Sequence, residues 1–397
     1  MDFIPQFELG RLPRILFGAG QAEKLPGSVA AFGHRALIVT GGHSLVGSGY
    51  WERLVKGLEQ QSVVWFQVKV AEEPSPELVD RVVAQYHSEK IDVVAGVGGG
   101  SVLDAAKAIA GLLLPGNSVM DHLEGVGGGV PYSGPATPFI AVPTTAGTGS
   151  EATKNAVLSR CGDGGFKKSF RHDALVAHTA IVDPIFLRSC PRDLMAAQGM
   201  DAFTQLLESF VSRRANPITD ALAWSGIEAF VEGFMPAIEG DFRAEEDLAR
   251  VAYASLMSGI CLAHAGLGSV HGLAAPLGAR YPIPHGVACG TLLAEAVEIN
   301  LGLLKQQEHG NRAQSKYARV GSLFSARALN DEESLQALLV TSLRRWIEML
   351  EITRLGEFGI VEESIPALVA DSWSSNMQSN PALMAAEDVA ELIRRRL

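Results

Sequence analysis

The chain has 397 residues, of which 47% are hydrophobic and 19% charged, and its formal net charge is -11. At roughly 150 residues per domain that length accommodates two domains, and the composition fills a large core and excludes disorder. The acidic balance argues against a nucleic-acid or anionic-membrane partner, since either requires a basic face.

The cysteines Cys161, Cys190, Cys261 and Cys289 are widely spaced and form no C-x-x-C pair. They read as reduced thiols in a cytoplasmic protein, not as a disulfide framework. The opening Met1-Asp-Phe-Ile-Pro-Gln6 has no basic segment followed by an apolar run, unlike a secretory signal. No uninterrupted apolar stretch reaches the ~18 residues expected of a membrane span. The expectation is a cytoplasmic protein with no membrane partner.

In chain order, Phe7 to Phe17 reads as extended and closes in Phe17-Gly-Ala-Gly20. Ala36-Leu-Ile-Val-Thr40 is a short apolar run stopped by Gly41-Gly42, the pattern of a buried parallel strand, and Val63-Val-Trp-Phe66 is a second. A helix is predicted from Ser75-Pro76, with Ser75 as N-cap and Pro76 where no N–H is needed. A third strand, Asp92 to Val97, runs into Gly98-Gly-Gly-Ser-Val-Leu-Asp-Ala-Ala-Lys107. Glycines at a strand-to-helix turn let the backbone approach a ligand, and the helix start supplies unpaired N–H groups, which suits a phosphate or pyrophosphate. It is not the G-x-G-x-x-G fingerprint, because Leu103 stands where the last glycine belongs. Pro138 to Val142 is a further strand, leading to the hydroxyl-rich turn Pro143-Thr-Thr-Ala-Gly-Thr-Gly-Ser-Glu151. Two such turns at strand ends mark the edge where open α/β sheets bind ligands.

Beyond Asp183-Pro184 helical patterns take over: Pro191 to Ala196, Asp201 to Ser212, Pro217 to Phe234, Glu245 to Leu267 and Leu335 to Leu350. Asn380-Pro381 is predicted to start a last helix. The fold class is therefore an α/β N-terminal part (1–185) with a parallel sheet, followed by an all-α C-terminal part (186–397).

The candidate metal ligands lie in the helical part. Asp201 and Gln205 are four apart in an apolar run and share one helical face. His271 and His285 are fourteen apart across a Gly/Pro-rich turn that can fold one back on the other. A carboxylate and two imidazoles suit a divalent first-row metal such as iron or zinc, with Gln205 as a weaker oxygen ligand.

Taken together, Gly98-Gly-Gly-Ser101 with Asp104 and Lys107, Pro143 to Glu151, Gly199-Met-Asp201, and His271 with Pro284-His285-Gly286 resemble the iron-containing (group III) alcohol dehydrogenases over nearly the whole chain. The resemblance implies a dinucleotide-binding domain, a helical domain, a cleft between them for nicotinamide and metal, and a homodimer. It implies pyrophosphate binding by Gly98, Gly99, Gly100 and Ser101, near Asp104, and places Thr144, Thr145 and Thr148 along the cofactor. It sets Asp201, His271 and His285 on metal-ligand and catalytic positions.

Two departures from the family pattern stand out. Gln205 replaces a usual His, and an amide oxygen is a poorer ligand than imidazole, so metal is held loosely or not at all. Ala275 replaces a frequent second His and cannot relay a proton. Gly41 stands at the end of its strand where NAD-preferring members carry an acid, which permits NADP and leans the expectation that way. The implied reaction is hydride transfer between NAD or NADP and an alcohol/carbonyl pair, with Fe2+ or Zn2+ polarising the substrate oxygen. The alternatives are a metal-independent enzyme like the maleylacetate reductases, and a lyase like dehydroquinate synthase. The lyase would need Lys/Arg residues near the metal, for which Arg280 and Lys154 are the candidates. His264 and His122 are either cleft-bordering or structural.

Overall fold

A computed structural model describes residues 4–42, 45, 49–160, 165–307, 312–325 and 331–397. Cys161 and the first three residues of the chain lie outside this set. Chain order begins β1 (Arg14–Phe17), α1 (Leu25–Ala30), β2 (Arg35–Thr40), α2 (Tyr50–Gln60), β3 (Val64–Lys69), α3 (Pro76–Tyr86), β4 (Val93–Gly98) and α4 (Gly100–Leu112). It continues with β5 (Phe139–Pro143), β6 (Asn155–Arg160), β7 (Phe166–Arg171) and β8 (Thr179–Val182).

Six strands form one parallel sheet in the order β1-β8-β5-β4-β2-β3. The central strands β4 and β5 are buried along their whole length, which is why they read as unbroken apolar runs. After β3 the chain crosses to the other side of β2 to make β4, so the strand order reverses between β2 and β4. The carboxyl ends of strands at such a switch point form the crevice in which open α/β sheets bind ligands. Here those ends are Thr40-Gly41, Gly98-Gly99 and Pro143-Thr144. Ser75 caps α3 as expected, accepting from the Leu78 N–H at 3.2 Å. Strands β6 and β7 stand apart as an antiparallel hairpin, which the sequence reading did not contain.

All later elements are helical: α5 (Arg192–Val211), α6 (Pro217–Glu239), α7 (Glu245–Ala265), α8 (Ser269–Arg280) and α9 (His285–Gln306). Then come α10 (Arg312–Ser322), α11 (Glu332–Met349), α12 (Ile365–Asp371), α13 (Ser375–Ser379) and α14 (Ala386–Arg394). A parallel α/β first part and a helical second part agree with the expected fold class. Helix α5 runs through both of the segments predicted separately, because Gly199 is absorbed into a helix buried on all sides from Gly199 to Val211. Helices α7 and α9 have the length and apolar character of a membrane span, but most of each is buried against the other helices.

One detail corrects the sequence reading. Asn380-Pro381 does not begin a helix; α14 starts at Ala386. Instead the Asn380 side chain donates to Asn300 Oδ1 at 2.7 Å and to the Ala382 carbonyl at 2.8 Å, and accepts from the Ser269 N–H at 3.1 Å. These tertiary bonds override the capping preference of an Asn-Pro pair.

The helical part docks on the turn after β5. Gly149 lies in the left-handed region (φ 59), where a side chain is strained. A Cβ on Gly149 would sit 2.4 Å from Gly259 Cα, and one on Gly259 would sit 2.1 Å from the Gly149 carbonyl oxygen. Helix α7 therefore meets this turn backbone to backbone.

Candidate metal centre and cofactor cleft

Helix α5 carries Asp201, Gln205 and Glu208 on one face, at spacings of four and three residues. Polar side chains on so deeply buried a helix need partners. Asp201 is fully buried and Gln205 and Glu208 are nearly so. Helix α8 presents His271 from its first turn, and α9 presents His285 from its first residue with Cys289 one turn later. The turn between α8 and α9 brings the two imidazoles to 5.5 Å between ring centres.

Around one point, His271 Nε2 lies 3.2 Å and His285 Nε2 3.8 Å from Asp201 Oδ1. Cys289 Sγ lies 3.6 Å from His271 Nε2 and 3.8 Å from His285 Nε2. One donor atom from each of these four residues falls within 4.8 Å of the others. Glu208 accepts from His271 Nδ1 at 2.7 Å and from the Val270 N–H at 2.8 Å. That carboxylate fixes the ring so that its other nitrogen points at Asp201, as a supporting carboxylate does for a metal-binding histidine.

Burial disfavours charge throughout, but the groups compensate one another. Burial pushes the Asp201 carboxyl up, yet His285 and His271 outweigh it and hold it at about 2. Burial also opposes a charge on His271, but Cys289, Asp201 and Glu208 around the ring raise it well above the ordinary imidazole value. His285 is driven the other way, to about 4, by burial and by the nearby positive charges of Lys167 and His271 against the pull of Asp201. Burial pushes the Cys289 thiol up to about 12. Asp201 Oδ2 and His285 Nδ1 are buried without a hydrogen-bond partner. A carboxylate with an orphaned oxygen, two imidazoles and a thiol form a donor set that fits a divalent cation.

The centre opens on a cavity of about 390 Å³. Of the predicted residues, Gly100, Ser101, Asp104, Thr148, Gln205, His271 and His285 line it, and Ala275 is on its wall. Asp201 is buried beside the two histidines. Gly98, Gly99, Thr144 and Thr145 sit at the adjoining sheet edge: the Thr144 N–H donates to the Gly98 carbonyl at 3.0 Å. A Cβ on Gly100 would lie 2.8 Å from the Thr148 side chain, so the two turns approach across a gap that only glycine leaves open. This bare edge at the start of α4 fits a pyrophosphate. Gly41 closes β2 at the same end of the sheet, where a Cβ would touch only Val102, at 3.7 Å.

Asp104 and Lys107 tie the two turns together. Lys107, fully buried, donates to the Ser150 carbonyl at 2.9 Å, Ser150 Oγ at 3.0 Å, Thr153 Oγ1 at 3.0 Å and the Asn155 carbonyl at 2.6 Å. Asp104 accepts from Ser150 Oγ at 2.5 Å and pairs with Lys107 at 3.5 Å. In the same turn, burial raises the Glu151 carboxyl to about 7.

Other candidates lie elsewhere. His264 Nδ1 donates to the Ile260 carbonyl, 2.7 Å away, and the residue lines a separate small cavity with Gly10 and Arg11. His122 stacks on Phe170 and contacts the Val130 carbonyl at 2.8 Å. Lys154 pairs with Asp173 and Arg280 with Asp371, both away from the cavity. The cations that do line it, Lys167 and Arg171, come from β7, and they pair with Glu73 and Glu124. The sequence reading missed these two, Glu208 and the place of Cys289. Glu208 follows Asp201 by two helical turns and Cys289 follows His285 by one, so helical spacing points to both. Cys190, Cys261 and Cys289 are free thiols.

The profile described as "Iron-containing alcohol dehydrogenase" matches residues 13–184, and that described as "Fe-containing alcohol dehydrogenase family, C-terminal" matches residues 195–397. The chain is 33% identical to long-chain-alcohol dehydrogenase 1 of Geobacillus thermodenitrificans, across 89% of this chain and 87% of that protein. It is 29% identical to the NAD-dependent methanol dehydrogenase of Bacillus methanolicus, across 97% and 98%. Its fold matches a crystal structure of an archaeal halo-thermophilic Red Sea brine pool alcohol dehydrogenase over all of both chains, with a TM-score of 0.90 and 27% identity. With both profiles covering nearly its whole length, the chain belongs to the iron-containing alcohol dehydrogenase family, whose members are alcohol/aldehyde oxidoreductases.

Proposed function

We propose that this member interconverts a small-molecule alcohol and its aldehyde or ketone, using a nicotinamide cofactor and a divalent cation held at Asp201, His271 and His285. The observation that carries this reading is one cavity whose lining includes the glycine turn, Gly100 and Ser101, and the two histidines that flank buried Asp201. When bound, the nicotinamide supplies or accepts the hydride, and the cation acts as a Lewis acid on the substrate oxygen.

The protein's part is to bind and orient. The N–H groups at the start of α4 receive the pyrophosphate at Gly98, Gly99, Gly100 and Ser101, with Asp104 and Lys107 holding the facing turn in register. Thr144, Thr145 and Thr148 line the path of the cofactor toward the histidines. Glu208 holds the proton at His271 Nδ1, so that Nε2 offers its lone pair to the centre. Ala275 carries no titratable atom, so the substrate proton has to leave through water or another group. In this scheme residues 1–185 handle the dinucleotide and residues 186–397 the cation.

NADP is the favoured cofactor, because Gly41 sets no carboxylate against a 2′-phosphate and Lys69 pairs in register with neighbouring Thr40. Either Fe2+ or Zn2+ suits the donor set. Free buried thiols support a cytoplasmic setting, and a homodimer is the proposed assembly.

Elemental analysis of protein purified without added metal or chelator tests the reading, together with His285→Ala. About one divalent ion per chain, as a single Lewis-acid site requires, and lost turnover in the variant are expected. Metal-free protein that still reduces carbonyls would instead favour the metal-independent, maleylacetate-reductase-like chemistry.

A further inference from the structure

We propose that Cys289, in place of Gln205, supplies the fourth protein donor to the cation, making the set Asp201, His271, His285 and Cys289. This rests on the metal-dependent reading above and specifies its ligands.

Geometry is the first support. With bond lengths of about 2.0–2.1 Å to nitrogen or oxygen and about 2.3 Å to sulfur, a tetrahedral ion separates its donors by about 3.3 Å for N···O and about 3.5 Å for S···N. The spacings here are 3.2 and 3.8 Å for the imidazole nitrogens to Asp201, and 3.6 and 3.8 Å for the sulfur to those nitrogens. Four of the six donor separations thus already stand close to the edges of a coordination tetrahedron, and all six lie within 4.8 Å. The orphaned Asp201 Oδ2 supports the cation itself, since an unpartnered carboxylate oxygen in a fully buried residue is costly unless a cation lies beside that carboxylate.

Gln205 is engaged otherwise. Its Oε1 lies 2.9 Å from the Ser258 hydroxyl, which leaves the NH2 end toward Asp201, and an NH2 group is no ligand. Cys289 has no such competing bond; its sulfur touches only the two candidate imidazoles. The arrangement also preserves access. His271 and His285 line the cavity, while Asp201 and Cys289 are buried behind them, so the cavity side would be free for a substrate oxygen through expansion to five-coordination.

On binding, the S–H bond of Cys289 breaks, the electron pair stays on sulfur and bonds the ion, and the proton goes to solvent. One carboxylate and one thiolate among the donors then match a divalent charge, with the Glu208 carboxylate held behind His271. A thiolate in the set favours zinc over iron among the candidate ions.

Cobalt-substituted protein tests this by absorption. A near-ultraviolet thiolate-to-cobalt charge-transfer band is expected in the wild type and in Gln205→Ala, and should vanish in Cys289→Ser. Metal affinity, measured against a competing chelator, should fall by more than about tenfold in Cys289→Ser, at least the loss typical of a supporting residue. Cys261→Ser, remote from the centre, should keep the band. X-ray absorption on the unmutated zinc form gives an answer even if the variant fails to fold: one sulfur at about 2.3 Å is expected. Bound metal with no sulfur in its shell, or a band that persists in Cys289→Ser, overturns the assignment and leaves the metal-dependent reading standing. Failure of the wild type to bind cobalt or zinc overturns both.

Discussion

Replacing Glu208 by Gln isolates what the supporting carboxylate does for the metal centre. Glu208 receives two hydrogen bonds, from His271 Nδ1 at 2.7 Å and from the Val270 N–H at 2.8 Å, using a different oxygen for each. A glutamine can accept with only one oxygen. Its NH2 must then face either the imidazole N–H or the Val270 N–H, setting donor against donor in a buried site. If it faces the ring, His271 rotates or changes tautomer and Nε2 is no longer offered as an acceptor. The loss of a supporting partner of this kind lowers metal affinity by about 10–100-fold, equivalent to about 1.4–2.7 kcal/mol. Zinc competition with a colorimetric chelator measures this directly on protein of verified fold. The fully loaded variant should retain turnover within a few-fold, because Glu208 touches neither ion nor substrate. An unchanged zinc affinity in Glu208→Gln would refute the idea that this carboxylate orients His271.

Three other perturbations probe separate parts of the cleft. Gly100→Ala puts a methyl 2.8 Å from the Thr148 side chain, narrowing the space at the start of α4; cofactor KM should rise by about tenfold or more while metal content holds, a loss of at least about 1.4 kcal/mol, and an unaltered KM would mean the cofactor does not use this turn. Lys107→Met leaves the half-buried Asp104 carboxylate and four oxygen acceptors without their cation. The expected cost is about 3–5 kcal/mol, and calorimetry should show a fall of at least about 5 °C in Tm; a smaller fall would show that the ion pair is dispensable. Glu151→Gln tests linkage. Burial raises this carboxyl in the folded state to about 7, above its ordinary 4.5, so the folded protein binds the extra proton. Its contribution to stability is complete below about 4.5 and is lost as pH rises through about 7. Glu151→Gln should therefore flatten the decline in Tm between pH 5 and pH 8, about 3 kcal/mol at most, and parallel wild-type and variant profiles would exclude the effect.

The sheet was legible because parallel strands covered on both faces have no polar alternation: Ala36 to Thr40 and Val93 to Val97 announce themselves. The β6–β7 hairpin was not, because Lys167, Lys168, Ser169 and Arg171 give it a polar, half-exposed composition. Only tertiary structure shows that it walls the cavity. Asp201, His271 and His285 were found from residue type and spacing, and they do converge. Cys289 reads from sequence as a plain thiol, although His285 one turn earlier on the same helix marks its direction. Helix ends were weakest where side chains had long-range business, as at Asn380, whose bonds to Asn300 and Ser269 no local pattern encodes.

The backbone contact between Gly149 and Gly259 also constrains how this enzyme can diversify. One partner belongs to the turn after β5, the other to helix α7, and no side chain stands between them. The separation of the sheet edge from the helical part is therefore set there by main-chain thickness and cannot be tuned by residue size. A methyl at either position alone would collide with peptide atoms, so neither site offers a viable single mutational step. Variation in the cavity is left to side chains such as Lys167, Arg171 and Ala275, which line it without taking part in this backbone contact.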